Sequence, residues 1–240
     1  MPHALTGSRV VLGAAAVITA LGGRFNLAAT LITLGAVTDG LDGLLARRLG
    51  VASAFGALFD CFTDYLCFVV APWVLTRALV APGGSVVHEA LIGLPLLTGA
   101  IRSARNSLLI VAQAQGVREL PGLATVFFAF LSVAAVFLDA PALVGGRLSV
   151  ILTFFVVIFS LLMVSPVWYP KLTKFRGVSA PVLILLALMP FIGTRVLAGG
   201  MLVVGLLYVA LAHLSVSRPP RGGADLPDAG GEGVGREPEP

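Results

Sequence analysis

Four carboxylates stand where an apolar chain should not carry them. Asp39 and Asp42 fall in the hydrophobic stretch Phe25–Leu45, and Asp60 and Asp64 in the stretch Phe55–Leu75. If both stretches are membrane helices, each ionised Asp near the centre costs about 2.5–3.5 kcal/mol, so four unpaired ones imply something on the order of 10 kcal/mol. Such a cost needs a compensating partner. At 100° per residue, Asp39, Asp42, Gly43 and Ala46 follow i, i+3, i+4, i+7, and Gly56, Asp60 and Asp64 follow i, i+4, i+8, so each set occupies one face of one helix. The short basic loop at Arg47-Arg48-Leu49-Gly50 makes the two helices antiparallel neighbours whose acidic faces can confront each other. Four convergent carboxylates near water form a site for a hard cation. Oxygen-only ligands suit Mg²⁺, Mn²⁺ or Ca²⁺, and no His or Cys is spaced to favour zinc or copper. Gly43, Ala46 and Gly56 leave room beside such an ion, and a carboxylate-bound metal with open positions suits a phosphate ligand. Small residues at four-residue spacing also serve plain helix packing, which is the alternative reading for the glycines taken alone.

Two further charges invite the same question. Arg102 and Arg105 lie inside the apolar stretch Ala90–Ala112, where guanidinium groups are expensive unless they face a wet cavity or an anion. A carboxylate or a lipid phosphate would suit them; pairing with the aspartates as counter-ions is the structural alternative. The cysteines, Cys61 and Cys67, are six apart on one helix, cannot bridge each other and are too few for a zinc site, so they read as small buried hydrophobes. His88 and His213 read as solvent or interface groups, and Trp73, Trp168 and Tyr169 as an aromatic belt.

These side chains must be positioned by helices in a bilayer. Of 240 residues, 58% are hydrophobic and 12% charged, about half the ~25% of an ordinary soluble domain. That balance excludes a soluble enzyme, a disordered chain and a disulfide scaffold, and the net charge of +4 is too thinly spread for a nucleic-acid face. The expected fold is all-α, a polytopic transmembrane bundle of about eight spans: Leu5–Leu21, Phe25–Leu45, Phe55–Leu75, Ala90–Ala112, Gly122–Leu138, Leu148–Val164, Ala180–Ile192 and Val196–Val216. With a cytoplasmic N-terminus, Arg9, Arg47, Arg48, Arg118, Lys171, Lys174, Arg176, Arg218 and Arg221 fall on the inner side, and Arg24, Arg77, Arg147 and Arg195 on the outer. Lys171, Lys174 and Arg176 then meet anionic headgroups. Residues 1–216 form one integral-membrane domain, and the Gly-, Pro- and acid-rich stretch 217–240 reads as a disordered cytoplasmic tail. The acidic face lies toward the cytoplasmic end of a cell membrane.

Read in full, Asp39-x2-Asp42-Gly43-x2-Ala46-Arg47-x8-Gly56-x3-Asp60-x3-Asp64 resembles, at every position, the signature of the CDP-alcohol phosphatidyltransferases. The resemblance implies a six-helix family core followed here by two C-terminal helices. It also implies transfer of a phosphatidyl group from CDP-diacylglycerol to an alcohol, with release of CMP. By that resemblance, Asp39, Asp42 and Asp60 hold two divalent ions, Mg²⁺ or Mn²⁺, across the pyrophosphate. Asp64 touches a metal and deprotonates the acceptor hydroxyl, while Thr6, Gly43, Ala46, Arg47, Ser53 and Gly56 match CDP-lipid positions. Pro2-His3-Ala4-Leu5-Thr6-x2-Arg9 is similar to the family's opening motif, with His3 where relatives often have Asn. The family also suggests a homodimer.

The stretch Asp60-Cys61-Phe62-Thr63-Asp64-x2-Cys67-Phe68-x2-Ala71-Pro72 is similar to bacterial and archaeal phosphatidylserine synthases, with cysteines at 61 and 67 in place of serines and Val69 in place of glycine. Arg102-x2-Arg105 resembles their paired arginines and implies an acceptor-binding role. L-serine is the expected acceptor; glycerol phosphate, inositol or inositol phosphate are alternatives with the same chemistry. A divalent-cation transporter is the alternative of another class, against which stands the crowding of the acids at one end of the helices.

Overall fold

The computed structural model describes residues 2–49, 54–80, 85–112, 122–139 and 147–165, with residues 195, 199, 200, 202 and 203; side chains are described for these except at 2–5, 42–49, 54, 109–112 and 148. Among the described residues the regular structure is entirely helical. Helix α1 (Pro2–Leu21) is followed by α2 (Phe25–Leu49), α3 (Ala54–Tyr65), a π turn (Leu66–Val70), α4 (Ala71–Leu79), α5 (Val86–Ala112), α6 (Val126–Phe137) and α7 (Leu148–Val164).

Helix α1 ends because Gly23 adopts φ +72°, which lets the Arg24 N–H reach back to the Thr19 carbonyl at 2.9 Å and satisfy one of the last helical acceptors. The chain then turns directly into α2, and α1 packs more extensively on α2 than on any other helix. Their seam is made of small residues, Ala16 and Ala20 against Ala28, Ala29 and Ala36, which allow close backbone approach. Helix α1 also packs against α3 and α4, α5 packs against α3 and α7, and α6 covers α2 and α4.

The expected single helix over Phe55–Leu75 is interrupted. Pro72 lacks the N–H that an unbroken α-helix would use, and the Ala71 N–H bonds instead to Leu66 O, five residues back. The resulting π turn packs Cys67, Phe68 and Val69 inward. Val69 fits because Gly99 of α5 faces it: a Cβ there would lie 2.8 Å from both Val69 methyls.

Among the described residues one stretch, Phe55–Leu79, is by itself long and apolar enough to cross a membrane, while Thr6–Leu21, Phe25–Leu41, Val126–Phe137 and Ser149–Val164 are shorter apolar helices. The all-helical expectation holds among the described residues, and the count of eight spans is not confirmed by them. The fourth member is interrupted as an apolar window by Glu89, Arg102 and Arg105 in α5, while the side chains of the second are described only as far as Leu41. The seventh expected span, Ala180–Ile192, most of the eighth and the tail at 217–240 lie outside the described residues.

Hydroxyl groups in these helices are satisfied by their own backbone. Thr19, Thr33, Thr98 and Thr153 each donate to the carbonyl four residues back, at 2.7–3.0 Å. Two expectations about aromatic and imidazole groups are corrected. Trp73 is not a belt residue, since its ring packs where three internal apolar clusters meet. His88 is not simply solvent-facing: Nε2 lies 3.1 Å from Ser149 Oγ and Nδ1 3.4 Å from Thr153 Oγ1, because those hydroxyls are one turn apart on the adjacent α7.

Candidate active site

Three of the four signature aspartates converge. One carboxylate oxygen from each of Asp39, Asp60 and Asp64 lies within 4.8 Å of the others, Asp39 carried by α2 and the pair by successive turns of α3. The helical spacing i, i+4 therefore puts Asp60 and Asp64 on one face, as the sequence pattern requires. The side chains of Asp42, Gly43, Ala46 and Arg47 and the whole of Ser53 lie outside the described residues. Thr6 is buried on α1, and Gly56 sits one turn before Asp60 on α3.

The two acidic faces meet through a third helix. Helix α1 packs on both α2 and α3 and carries Arg9, whose side chain is fully buried, to the centre of the cluster. Arg9 Nη1 donates to Asp39 Oδ1 and, at 2.6 Å, to Asp64 Oδ1, while Nη2 donates to Asp60 Oδ1. The carboxylates are 29–42% exposed, so the cluster is closed on the Arg9 side and open to solvent on the other. Three carboxylates against one guanidinium leave a formal charge of −2. This corrects the reading of Arg9 as an orientation charge at the helix end. The signal that could have found it is the one that exposed the aspartates: a full charge within an apolar helix, here three residues after Thr6 in the opening motif.

A cavity of about 150 Å³ opens beside the carboxylates, lined among others by Asp39, Asp64, Cys61, Arg102, Asn106 and Thr125. Arg102 is thus beside the cluster. Arg105, one turn on, donates from Nη1 to the Val164 carbonyl at 3.2 Å, at the C-terminal end of α7. Asn106 was not among the expected site residues; its amide donates to Cys61 Sγ at 3.0 Å, joining α5 to α3. Tyr65 makes a second tie between these helices by donating to Leu96 O at 2.9 Å. Cys61 and Cys67 are both free and buried, in keeping with their expected role as small apolar groups.

The far wall depends on Gly122. Its φ of +106° is a conformation L side chains rarely adopt, and it holds the chain so that the Leu123 N–H bonds to Leu162 O at 3.0 Å. A Cβ at this position would collide with Met163 O and stand 3.0 Å from Arg102 Nη1. The segment entering α6 thereby lies directly against the guanidinium that lines the cavity.

Comparison with known proteins agrees with this arrangement. The family model for CDP-alcohol phosphatidyltransferase matches residues 1–169, which include every residue of the cluster and the cavity. A CDP-diacylglycerol–serine O-phosphatidyltransferase from Helicobacter pylori is 31% identical over 176 residues, covering 73% of each chain. An archaetidylserine synthase from Methanothermobacter thermautotrophicus is 28% identical over 174 residues, covering 71% of this chain and 70% of its own. A phosphatidylcholine synthase from Borreliella burgdorferi is 32% identical over a shorter stretch of 74 residues, 29% of this chain and 32% of its own. With the aspartate signature complete and the family model spanning the whole site, the chain belongs to the CDP-alcohol phosphatidyltransferase family and is a transferase.

Proposed function

We propose that this protein is an integral-membrane phosphatidylserine synthase, transferring the phosphatidyl group of CDP-diacylglycerol to L-serine with release of CMP. The observation that carries the reading is the convergence of three carboxylate oxygens within 4.8 Å at the edge of a small cavity lined by Arg102. The serine synthase relatives that match over most of this chain support the choice of acceptor.

The donor set fits a divalent ion: hard oxygens, net negative and open on one side. Asp39, Asp60 and Asp64, with Asp42 from the same face of α2, would hold Mg²⁺ or Mn²⁺, which when bound neutralises the pyrophosphate and polarises the attacked phosphorus. Asp39 and Asp64 both border the cavity as well as the cluster, and the signature they match assigns Asp64 of the two to take the proton from the acceptor hydroxyl. That hydroxyl oxygen forms the new bond to the phosphatidyl phosphorus, the bond from this phosphorus to the CMP oxygen breaks, and CMP carries away the electron pair. Arg102 supplies a cation to the acceptor carboxylate. Arg105, held by the α7 carbonyl, supports α5 beside it. Thr6, Gly43, Ala46, Arg47, Ser53 and Gly56 are assigned to the CDP-lipid from the signature they match.

The bilayer reading rests on composition and on the outward apolar side chains Val11, Ile18, Phe62, Val150, Phe154 and Leu161, each at least 61% exposed. The proposed arrangement is a multi-pass protein of the cell membrane with the carboxylates facing the cytoplasm, and a homodimer. The test is CMP release by the purified protein in lipid, from CDP-diacylglycerol with serine, choline, glycerol phosphate, inositol or inositol phosphate, each with and without Mg²⁺ or Mn²⁺. Turnover with serine alone is expected; turnover with a different alcohol and not serine refutes the acceptor, and metal-dependent movement of Mn²⁺ without CMP release would favour the transporter.

A further inference from the structure

We propose that Arg9 is a tethered cation that competes with divalent metal for Asp39, Asp60 and Asp64, so that metal loads only as the guanidinium withdraws. This rests on the metal-site reading above. The Arg9 guanidinium donates to an oxygen of each of Asp39, Asp60 and Asp64, the same three carboxylates that can offer ligand oxygens within 4.8 Å of one another. A Mg²⁺-sized ion binds carboxylate oxygens at about 2.1 Å, so an ion held by these three side chains would stand beside the guanidinium with the same sign of charge and compete with it for the same carboxylates. The competition is built in because Arg9 belongs to a helix fixed by its alanine seam with α2, and its side chain is fully buried. Three carboxylates this close repel one another; Arg9 keeps them converged, which pre-forms the site, and lowers its apparent affinity by the fraction of time it stays there. Arg9 is therefore a positioning residue.

The experiment uses the full chain in detergent. Mn²⁺ binding is followed by the loss of the free-ion paramagnetic resonance signal, and unfolding by a thiol-reactive dye in EDTA and in saturating Mn²⁺, for the wild type, Arg9→Gln and Arg9→Lys. Arg9→Gln is expected to bind Mn²⁺ roughly tenfold or more tightly than the wild type. It should also unfold at a lower temperature in EDTA, with the difference shrinking in Mn²⁺; Arg9→Lys should fall between. Recovery of Arg9→Gln only in Mn²⁺ is the same result in stronger form. Unchanged or weaker Mn²⁺ binding, an equal loss of stability in both conditions, or failure of both variants to fold even in Mn²⁺ overturns the proposal. A wild type that binds no Mn²⁺ at all overturns the metal site itself.

Discussion

Gly122→Ala should damage the site without removing any functional group. The residue holds φ +106°, where an alanine costs of order 1–3 kcal/mol in backbone strain. Its new methyl would in addition overlap Met163 O, a backbone atom that cannot rotate away, so the α6 entry and the end of α7 must part. Strain and displacement together come to about 2–4 kcal/mol, a large share of the ~5–15 kcal/mol that holds a folded domain. At roughly 2–4 °C per kcal/mol for a chain of this size, the midpoint of unfolding falls by about 5–15 °C.

The readout is already in the chain. Cys61 and Cys67 are 5% and 0% exposed, so a thiol-reactive dye reports unfolding directly in detergent. The same displacement pushes on Arg102, whose Nη1 would be 3.0 Å from the added methyl, so the acceptor KM should rise more than the donor KM. Gly93→Ala is the control: nothing lies within 4 Å of a Cβ at that position in α5, and helix propensity alone makes the change neutral or stabilising by up to ~1 kcal/mol. A Gly122→Ala protein that melts within about 2 °C of the wild type, with unchanged KM values, would refute the account of this wall.

Asp64→Asn should abolish CMP release while leaving CDP-diacylglycerol binding largely intact, since an amide keeps the shape but accepts no proton; full retained turnover refutes the assigned base. Arg102→Ala should raise the acceptor KM at least about tenfold, the loss expected for one charge-assisted contact, whereas Arg105→Ala should act mainly on stability because its partner is the Val164 carbonyl. The reverse ranking in steady-state kinetics would exchange their roles. Truncation after Ser217 should leave turnover unchanged; a loss would place part of the tail at the active site.

The sequence carried the helices well where apolar length and punctuation agree. The boundaries at Leu21, Phe25 and Val164 follow from Gly22-Gly23 and from Ser165, which precedes Pro166 in the sequence and takes an extended ψ of 149°, and each is local chemistry. What periodicity could not supply was the break within Phe55–Leu79. Leu66–Val70 is as apolar as the helix around it, and the π turn comes from one missing N–H at Pro72 acting several residues upstream. The inward position of Trp73 and the hydroxyl partners of His88 are likewise set by neighbouring helices far away in sequence.

For the site, legibility followed one rule applied unevenly. A charge in an apolar helix demands a partner, and that demand singled out Asp39, Asp60 and Asp64, which the structure brings together, and Arg102, which lines the cavity beside them. Arg9 meets the same criterion, yet its place near the chain's start gave it a competing explanation as an orientation charge. Orientation charges belong at a helix end in contact with headgroups, whereas Arg9 lies in the interior of α1 with no exposed surface. Counting signs within the apolar stretches would have pointed the same way. The aspartates outnumber any cations on their own helix faces, so part of the compensation had to come from another helix, and α1 packs on both. The chemistry of the cluster was written in the spacing of two helices, but its electrostatic balance required the third.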